Sequence, residues 1–199
     1  RRSSDLINAS HNIHFTMRQA YDLNEWTLEF NVNMSELGKG LGELNNQALF
    51  GAWGSNGGEI YTRFGDAPIE GNRLQIKTQG TQMNSKMLFD AKKWYHIAFV
   101  CTGTKLYLYV NGVLDNSMSL PGNATNIASP INFGNTDYLR ADVKVSELRF
   151  WTKARTQAQV LNNMYACDPK SDGLEAYWKL NEGQGDTFAD ATGHGNTGK

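Results

Sequence analysis

Residues 94–116 read WYHIAFVCTGTKLYLYVNGVLDN, three short runs separated by glycine-bearing breaks. WYHIAFVC has strand length, KLYLYV is a second such run and VLDNS begins a third, so the segment predicts a β-meander. Between Val110 and Val113 stand Asn111 and Gly112, the pair that most readily takes the two positive φ angles of a type I′ hairpin turn. Side chains alternate along a strand, so Leu106, Leu108 and Val110 share one face of the middle run and Lys105, Tyr107 and Tyr109 share the other. Large side chains on both faces suit an inner strand of a sandwich, with one face in the core and the other under a loop or lining a groove.

Strand signals continue on either side. NIHFTM (residues 12–17) and EWTLEFNVN (25–33) precede the meander, and the second sets Trp26, Leu28, Phe30 and Val32 against polar neighbours, which predicts one wet face. The stretch SELGKGLGELNNQ (35–47) reads as a long loop, followed by short strands at ALFGAWG and EIYTRFG and by RLQIKT (73–78). After the meander, PINFGN (130–135), VSELRFWT (145–152) and GLEAYWKL (173–180) are further strands, and NEGQGDTFADATGHGNTGK returns to glycine-rich turns. One segment departs from this pattern. Thr156 to Gln159 has the form of a capping box, with Val160, Leu161 and Met164 at helical spacing behind it, so a single helix is expected over about 156–165. Many strands and one short helix predict an all-β, two-sheet antiparallel jelly-roll sandwich.

Length and charge narrow the function classes. The 199 residues, 40% of them hydrophobic, suffice for one large domain over 1–199. Nineteen basic and twenty acidic residues, with no block of like charge, argue against nucleic acid as a partner. No apolar stretch approaches the length of a membrane span. The chain opens on RRSSDL without an initiator Met, and it is expected to be a piece of a longer protein with further domains. Cys101 and Cys167 lack the number and spacing of a disulfide framework or a metal site, and read as separate thiols of undetermined redox state.

Three motif blocks occur in order. The first is Trp94, His96, Ala98, Gly103, Leu106, Leu108, Tyr109, Val110, Asn111 and Gly112. The second is Glu147, Leu148, Arg149, Phe150 and Trp151 ahead of the helix. The third runs from Gly173, Leu174, Ala176, Tyr177 and Trp178 to Asp190, Thr192, Gly193, Gly195, Asn196 and Gly198. Together they resemble the laminin-G-like domains of the concanavalin A-like lectin/glucanase superfamily, of the type common in bacterial surface proteins. The resemblance implies a jelly roll in a secreted or cell-surface protein, placed extracellularly, on the cell surface or in the periplasm. Family members often carry an Asp before the glutamate of the second block, where it helps bind calcium, but Ser146 stands there in this chain. On the closing loop Asp190 and Asn196 remain candidates to hold calcium; otherwise no cofactor is expected.

Glucanases on this scaffold carry a compact E-x-D-x-x-E run, because glycoside hydrolysis needs two carboxylates across the scissile bond. No such run occurs here: Glu25 and Glu29 share a strand face without a third acid, and their strand reads as ordinary alternation. His96 reads as a strand histidine satisfied by a neighbour. Recognition remains, and the expected function is a non-catalytic carbohydrate-binding module with a polysaccharide or glycan as partner. Trp53, Tyr61, Arg63 and Tyr138, in or near expected loops, are the candidate sugar-contacting residues, while Trp26, Trp94, Trp151 and Trp178 are expected in the core. A structural spacer or protein-interaction module is the second reading, and a glycan-cleaving enzyme is the third.

Overall fold

A computed structural model describes residues 5–7, 13–35, 37, 47–52, 60–64, 72–127, 131–133, 135–136, 139–140 and 143–199. With strands numbered in chain order, one seven-stranded sheet runs β1 (Asp5–Ile7), β16 (Val143–Trp151), β4 (Glu25–Met34), β9 (Trp94–Thr102), β10 (Lys105–Val110), β11 (Val113–Ser119), and β17 (Leu174–Trp178) also pairs with β16. An eight-stranded sheet runs β18 (Phe188–Ala189), β19 (Thr197–Gly198), β2 (Ile13–Thr16), β13 (Ile131–Phe133), β5 (Gln47–Ala52), β6 (Ile60–Phe64), β7 (Leu74–Thr78), β8 (Thr81–Asn84). Two ribbons, β12 (Thr125–Ile127) with β3 (Tyr21–Leu23) and β14 (Asn135–Thr136) with β15 (Leu139–Arg140), complete the described strands, and the pairing is antiparallel throughout.

The core lies between the sheets. Leu28, Phe30, Ile97, Phe99, Leu106, Leu108, Phe150 and Trp178 meet Phe15, Leu74, Ile76 and Met83 in one buried cluster. Each such side chain contributes about 1.5–3 kcal/mol by leaving water. The expected meander forms β9, β10 and β11. Its turn has Asn111 at φ +51° and Gly112 at φ +75°, with Val110 directly opposite Val113. The Asn111 side-chain oxygen accepts from the His96 amide at 2.9 Å while the Asn111 amide donates to the His96 carbonyl at 2.8 Å, so the turn extends the ladder.

The second face of β10 is covered by a helix. Tyr109 packs with Ala98, Val100 and Val160, and Tyr107 and Ala154 flank them. Val160 belongs to α1 (Gln157–Asn162), opened by the expected capping box: Gln159 N donates to Thr156 Oγ1, and Thr156 N to Gln159 Oε1.

Four expectations need correction. The helix ends at Asn162 instead of 165: Asn163, its C-cap, leaves helical geometry at φ −109°, ψ 13°, and the Asn163 and Met164 carbonyls accept from Arg149. β4 has no wet face: Thr27, Glu29 and Asn31 are as buried as the apolar residues between them, since the segment after β16 folds over them. Trp94 is not core but 40% exposed, standing at the first position of β9. The closing segment contains β18 and β19 in place of turns alone, and these extend the eight-stranded sheet.

Candidate functional site

The outer side of the seven-stranded sheet centres on Glu29, wholly buried in β4. Its Oε1 accepts from Trp151 Nε1 at 2.8 Å and from Arg155 NH1 at 2.8 Å, and Arg149 Nε lies 3.5 Å away. On the adjacent β9, His96 Nε2 stands 3.4 Å from Glu29 Oε2 without forming a hydrogen bond, so the expected neighbour is present but does not satisfy the ring. The arginines reach outward as well. Arg149 NH1 donates to the Asn163 carbonyl at 2.6 Å, and Arg155 NH2 donates to Asn163 Oδ1 at 2.5 Å. The Arg155 guanidinium also lies 4.0 Å above the Trp151 ring.

Burial alone would raise the Glu29 carboxyl, but the Arg149 guanidinium, then His96 and Arg155, outweigh it and hold the group below its ordinary range. Burial also pulls Arg155 downward, and the Glu29 charge only partly offsets this. The Tyr177 phenol is driven well above its ordinary range by burial and by its hydrogen bond to Glu147. Removing one member of such a set would leave an uncompensated buried charge, so the cluster binds the segment 152–167 to the sheet.

A depression of about 370 Å³ opens beside this cluster, lined by Trp151, Lys153, Arg155, Gln159, Asn163 and Asp172 among others. Its charges are paired internally: Lys153 with Asp172, and Arg155 with Glu29. Nor does Glu29 face a second catalytic carboxylate on its strand. Glu25 lies four residues away, about 13 Å along the strand, wider than the about 5–9.5 Å at which glycosidase carboxylates work.

The closing loop holds Asp190 and Asn196 together, as expected, but gives them another role. Asp190 Oδ1 accepts from Tyr177 N at 3.1 Å, Thr192 N at 3.0 Å and Thr192 Oγ1 at 2.7 Å. Its Oδ2 accepts from Asn196 N at 3.3 Å and Asn196 Nδ2 at 2.8 Å. The side-chain oxygen of Asn196 accepts from Arg18 N at 2.8 Å. Calcium needs about six to eight oxygen ligands, whereas these oxygens already face N–H and O–H donors. The residues do not fit the ion, and among the described residues no group of three or more His, Cys, Asp or Glu is arranged to hold a metal.

The outer side of the eight-stranded sheet is different. Phe15 pairs with Ile131 and Thr62 pairs with Ile76, and buried Phe15 and Ile76 mark the core side, so residues one step along each strand occupy the outer side. There His14 stands beside Asn132, Asn132 beside Gly51, Gly51 beside Tyr61, Tyr61 beside Lys77 and Lys77 beside Gln82. Lys199 extends the row beyond His14 through two backbone bonds of 2.7 and 2.9 Å. A second row places Arg63 beside Gln75 and Gln75 beside Asn84, with Gln75 Nε2 donating to Asn84 Oδ1 at 3.0 Å. His14, Lys77, Gln82 and Lys199 are exposed, whereas Gln75 in the second row is buried. Tyr61 and Arg63 thus stand at alternate positions of one strand, paired in register with Lys77 and Gln75, while Trp53 and Tyr138 lie outside the described residues.

Sequence reading missed the Glu29 cluster. A signal was present in the middle strand of the meander: large residues on the second face of β10 imply a covering layer, and a layer over β10 extends across its neighbour β9 to β4.

A family model for the concanavalin A-like lectin/glucanases superfamily matches residues 8–161, and the chain belongs to that superfamily. Among solved structures, a candidate carbohydrate-binding protein from Bacteroides ovatus superposes with a TM-score of 0.81 at 24% identity, covering 100% of this chain and 58% of that one. The chain therefore spans just over half the length of that protein. A heptameric SAP-like pentraxin from Limulus polyphemus superposes at 0.60 with 14% identity, covering 95% and 92% of the two chains. The binding domain of Paraclostridial Mosquitocidal Protein 1 superposes at 0.58 with 14% identity over 80% of this chain and 42% of that one. These likenesses are of fold. No curated protein matches the sequence.

Proposed function

We propose that the chain is a non-catalytic carbohydrate-binding module that takes a glycan across the outer face of its eight-stranded sheet. One observation carries this reading: the row from His14 to Gln82, where Tyr61 lies between Gly51, which has no side chain, and exposed Lys77. An aromatic residue for the apolar face of a sugar and amides for its hydroxyls are the materials of such a site. Trp53 and Tyr138, expected from the sequence to contact the sugar, lie outside the described residues. The Bacteroides ovatus protein is described as a candidate carbohydrate-binding protein and the clostridial one as a binding domain, which supports binding over catalysis. The module belongs to a secreted or surface-attached bacterial protein, outside the cytoplasm, beside other domains of its parent chain.

Affinity electrophoresis over a broad panel of polysaccharides tests this. One or more should retard the protein, with a dissociation constant on the order of micromolar to millimolar, because a single module buries little surface. Tyr61→Ala, Trp53→Ala and Tyr138→Ala should weaken retention with the melt largely unchanged. If no polysaccharide retards the wild-type protein, the spacer or protein-interaction reading takes its place.

A further inference from the structure

We propose that the corner of the sandwich where β11 begins is a contact between two copies of this chain, related by a two-fold axis. The proposal goes beyond the carbohydrate-binding reading and does not depend on it. Seven large apolar residues are exposed among the described ones, and six gather at this corner: Met87, Leu88, Trp94, Val113, Leu114 and Leu161. The bonds and pairings around the Asn111-Gly112 turn bring them together. Leu161 of α1 lies against Gly112, its Cα 3.1 Å from where a first side-chain carbon would stand. Val113 follows in the chain, and Leu114 pairs with Tyr109, whose side chain packs with Val160 of the same helix. On the β9 side, His96 N donates to Asn111 Oδ1 and its carbonyl accepts from Asn111 N, and Trp94 stands two positions before His96 on the same face of the strand. Past the edge of the sheet, Asp115 Oδ1 accepts from Met87 N and Oδ2 from Lys86 N, both at 2.8 Å, which sets Met87 and Leu88 beside β11.

Area, charge and the state of the edge strand point to a second copy as the occupant. The six residues expose about 500 Å² between them, and a standard interface buries about 800 Å² per partner, of which about 65% is apolar in homodimers. The patch thus supplies the apolar part of one such half. The charges around it are of both signs, with Lys86 next to the Asp115 carboxylate and Lys93 paired with Asp90 at 2.6 Å, and the whole chain carries a formal net charge of −1. Two identical corners therefore meet without a one-sign repulsion. β11 ends the seven-stranded sheet, but strand-to-strand extension is not what it offers. Its pairing steps from Leu108–Asn116 to Tyr109–Leu114, leaving Asp115 as a bulge, and Asn116 Nδ2 donates to the Asn84 carbonyl at 2.8 Å, which ties the neighbouring segment along the edge. The contact is made by side chains of one patch set against itself, and such a contact closes at two copies.

Sedimentation velocity of the whole chain, from about 1 µM to about 500 µM, tests this. The mass should rise from that of one chain to that of two, with a midpoint on the order of micromolar to a hundred micromolar. Leu88→Asp/Val113→Asp should move the midpoint upward at least about tenfold, with the melt in dilute solution unchanged because both side chains are exposed. Leu114→Ser/Leu161→Ser, which adds no charge, should move it the same way. Gln82→Asp, on the outer side of the other sheet, should leave it where it is. A wild-type protein that stays a single chain throughout would overturn the proposal and give the patch to a different protein. A dimer unaffected by both double variants, or a mass that grows past two chains, would overturn it as well.

Discussion

The two outer faces of this sandwich both carry polar residues, but they use them in opposite ways. On the seven-stranded sheet Thr27, Glu29, Asn31, His96 and Arg149 are sealed under the segment 152–167, and their bonds run inward to one another and to that segment's carbonyls. On the eight-stranded sheet His14, Lys77 and Gln82 reach solvent, although Gln75 on the same side is buried. Polar residues on a strand therefore do not by themselves mark a binding face. What separates the two is access to water, since a charge sealed from water must find its partners within the protein.

Replacing Glu29 by Gln should have the largest effect. The amide nearly matches the carboxylate in shape but leaves Arg149 and Arg155 without a counter-charge, so urea denaturation should show a loss of about 3–5 kcal/mol. The pH dependence has the same origin. The folded carboxyl lies below its ordinary value of 4.5, so its contribution is fully present above that value and is lost as pH falls through the lower folded value. The wild-type protein should thus lose stability in acid from below about 4.5, and Glu29→Gln should show a shallower dependence there. If the variant is as stable as the wild type, the sealed face is not held as described.

Gly112→Val should cost about 1–3 kcal/mol, because a β-branched residue is strained at positive φ. The first side-chain carbon would also fall 2.5 Å from Leu161 Cδ1 and 3.1 Å from Leu161 Cα, so Leu161 must shift where α1 packs on the turn. An unchanged denaturation midpoint would mean that the turn does not support the helix. Tyr177→Phe removes the bond to Glu147 and should cost about 1 kcal/mol by the same measurement. Chelation should have the smallest effect: with Asp190 already surrounded by donors, excess EDTA should leave the melting temperature unmoved, and a clear fall would contradict the assignment of that carboxylate to the loop's own hydrogen bonds.

Legibility in the sequence followed the range of the interactions. The meander and its turn were readable because alternation and the Asn-Gly pair act between neighbours, and the capping box of α1 spans only Thr156 to Gln159. The burial of Glu29 depends on Arg155, 126 positions away, and no local pattern distinguishes a polar residue facing water from one facing a folded-back strap. The open face lay between these cases. Tyr61 and Arg63 read as strand residues from EIYTRF, yet which side they share, and with Lys77, Gln75 and Lys199, follows only from the pairing of β6 with β7 and of residue 14 with residue 199.

The most direct test of the division between a sealed and a presenting face is an amide chemical-shift map, recorded while the protein is titrated with a polysaccharide that retards it. The account predicts shifts concentrated at His14, Tyr61, Arg63, Lys77, Gln82 and Lys199, with residues 152–167 unmoved. Shifts centred on Trp151, Arg155 and α1 would contradict it and move the binding site to the depression beside the Glu29 cluster.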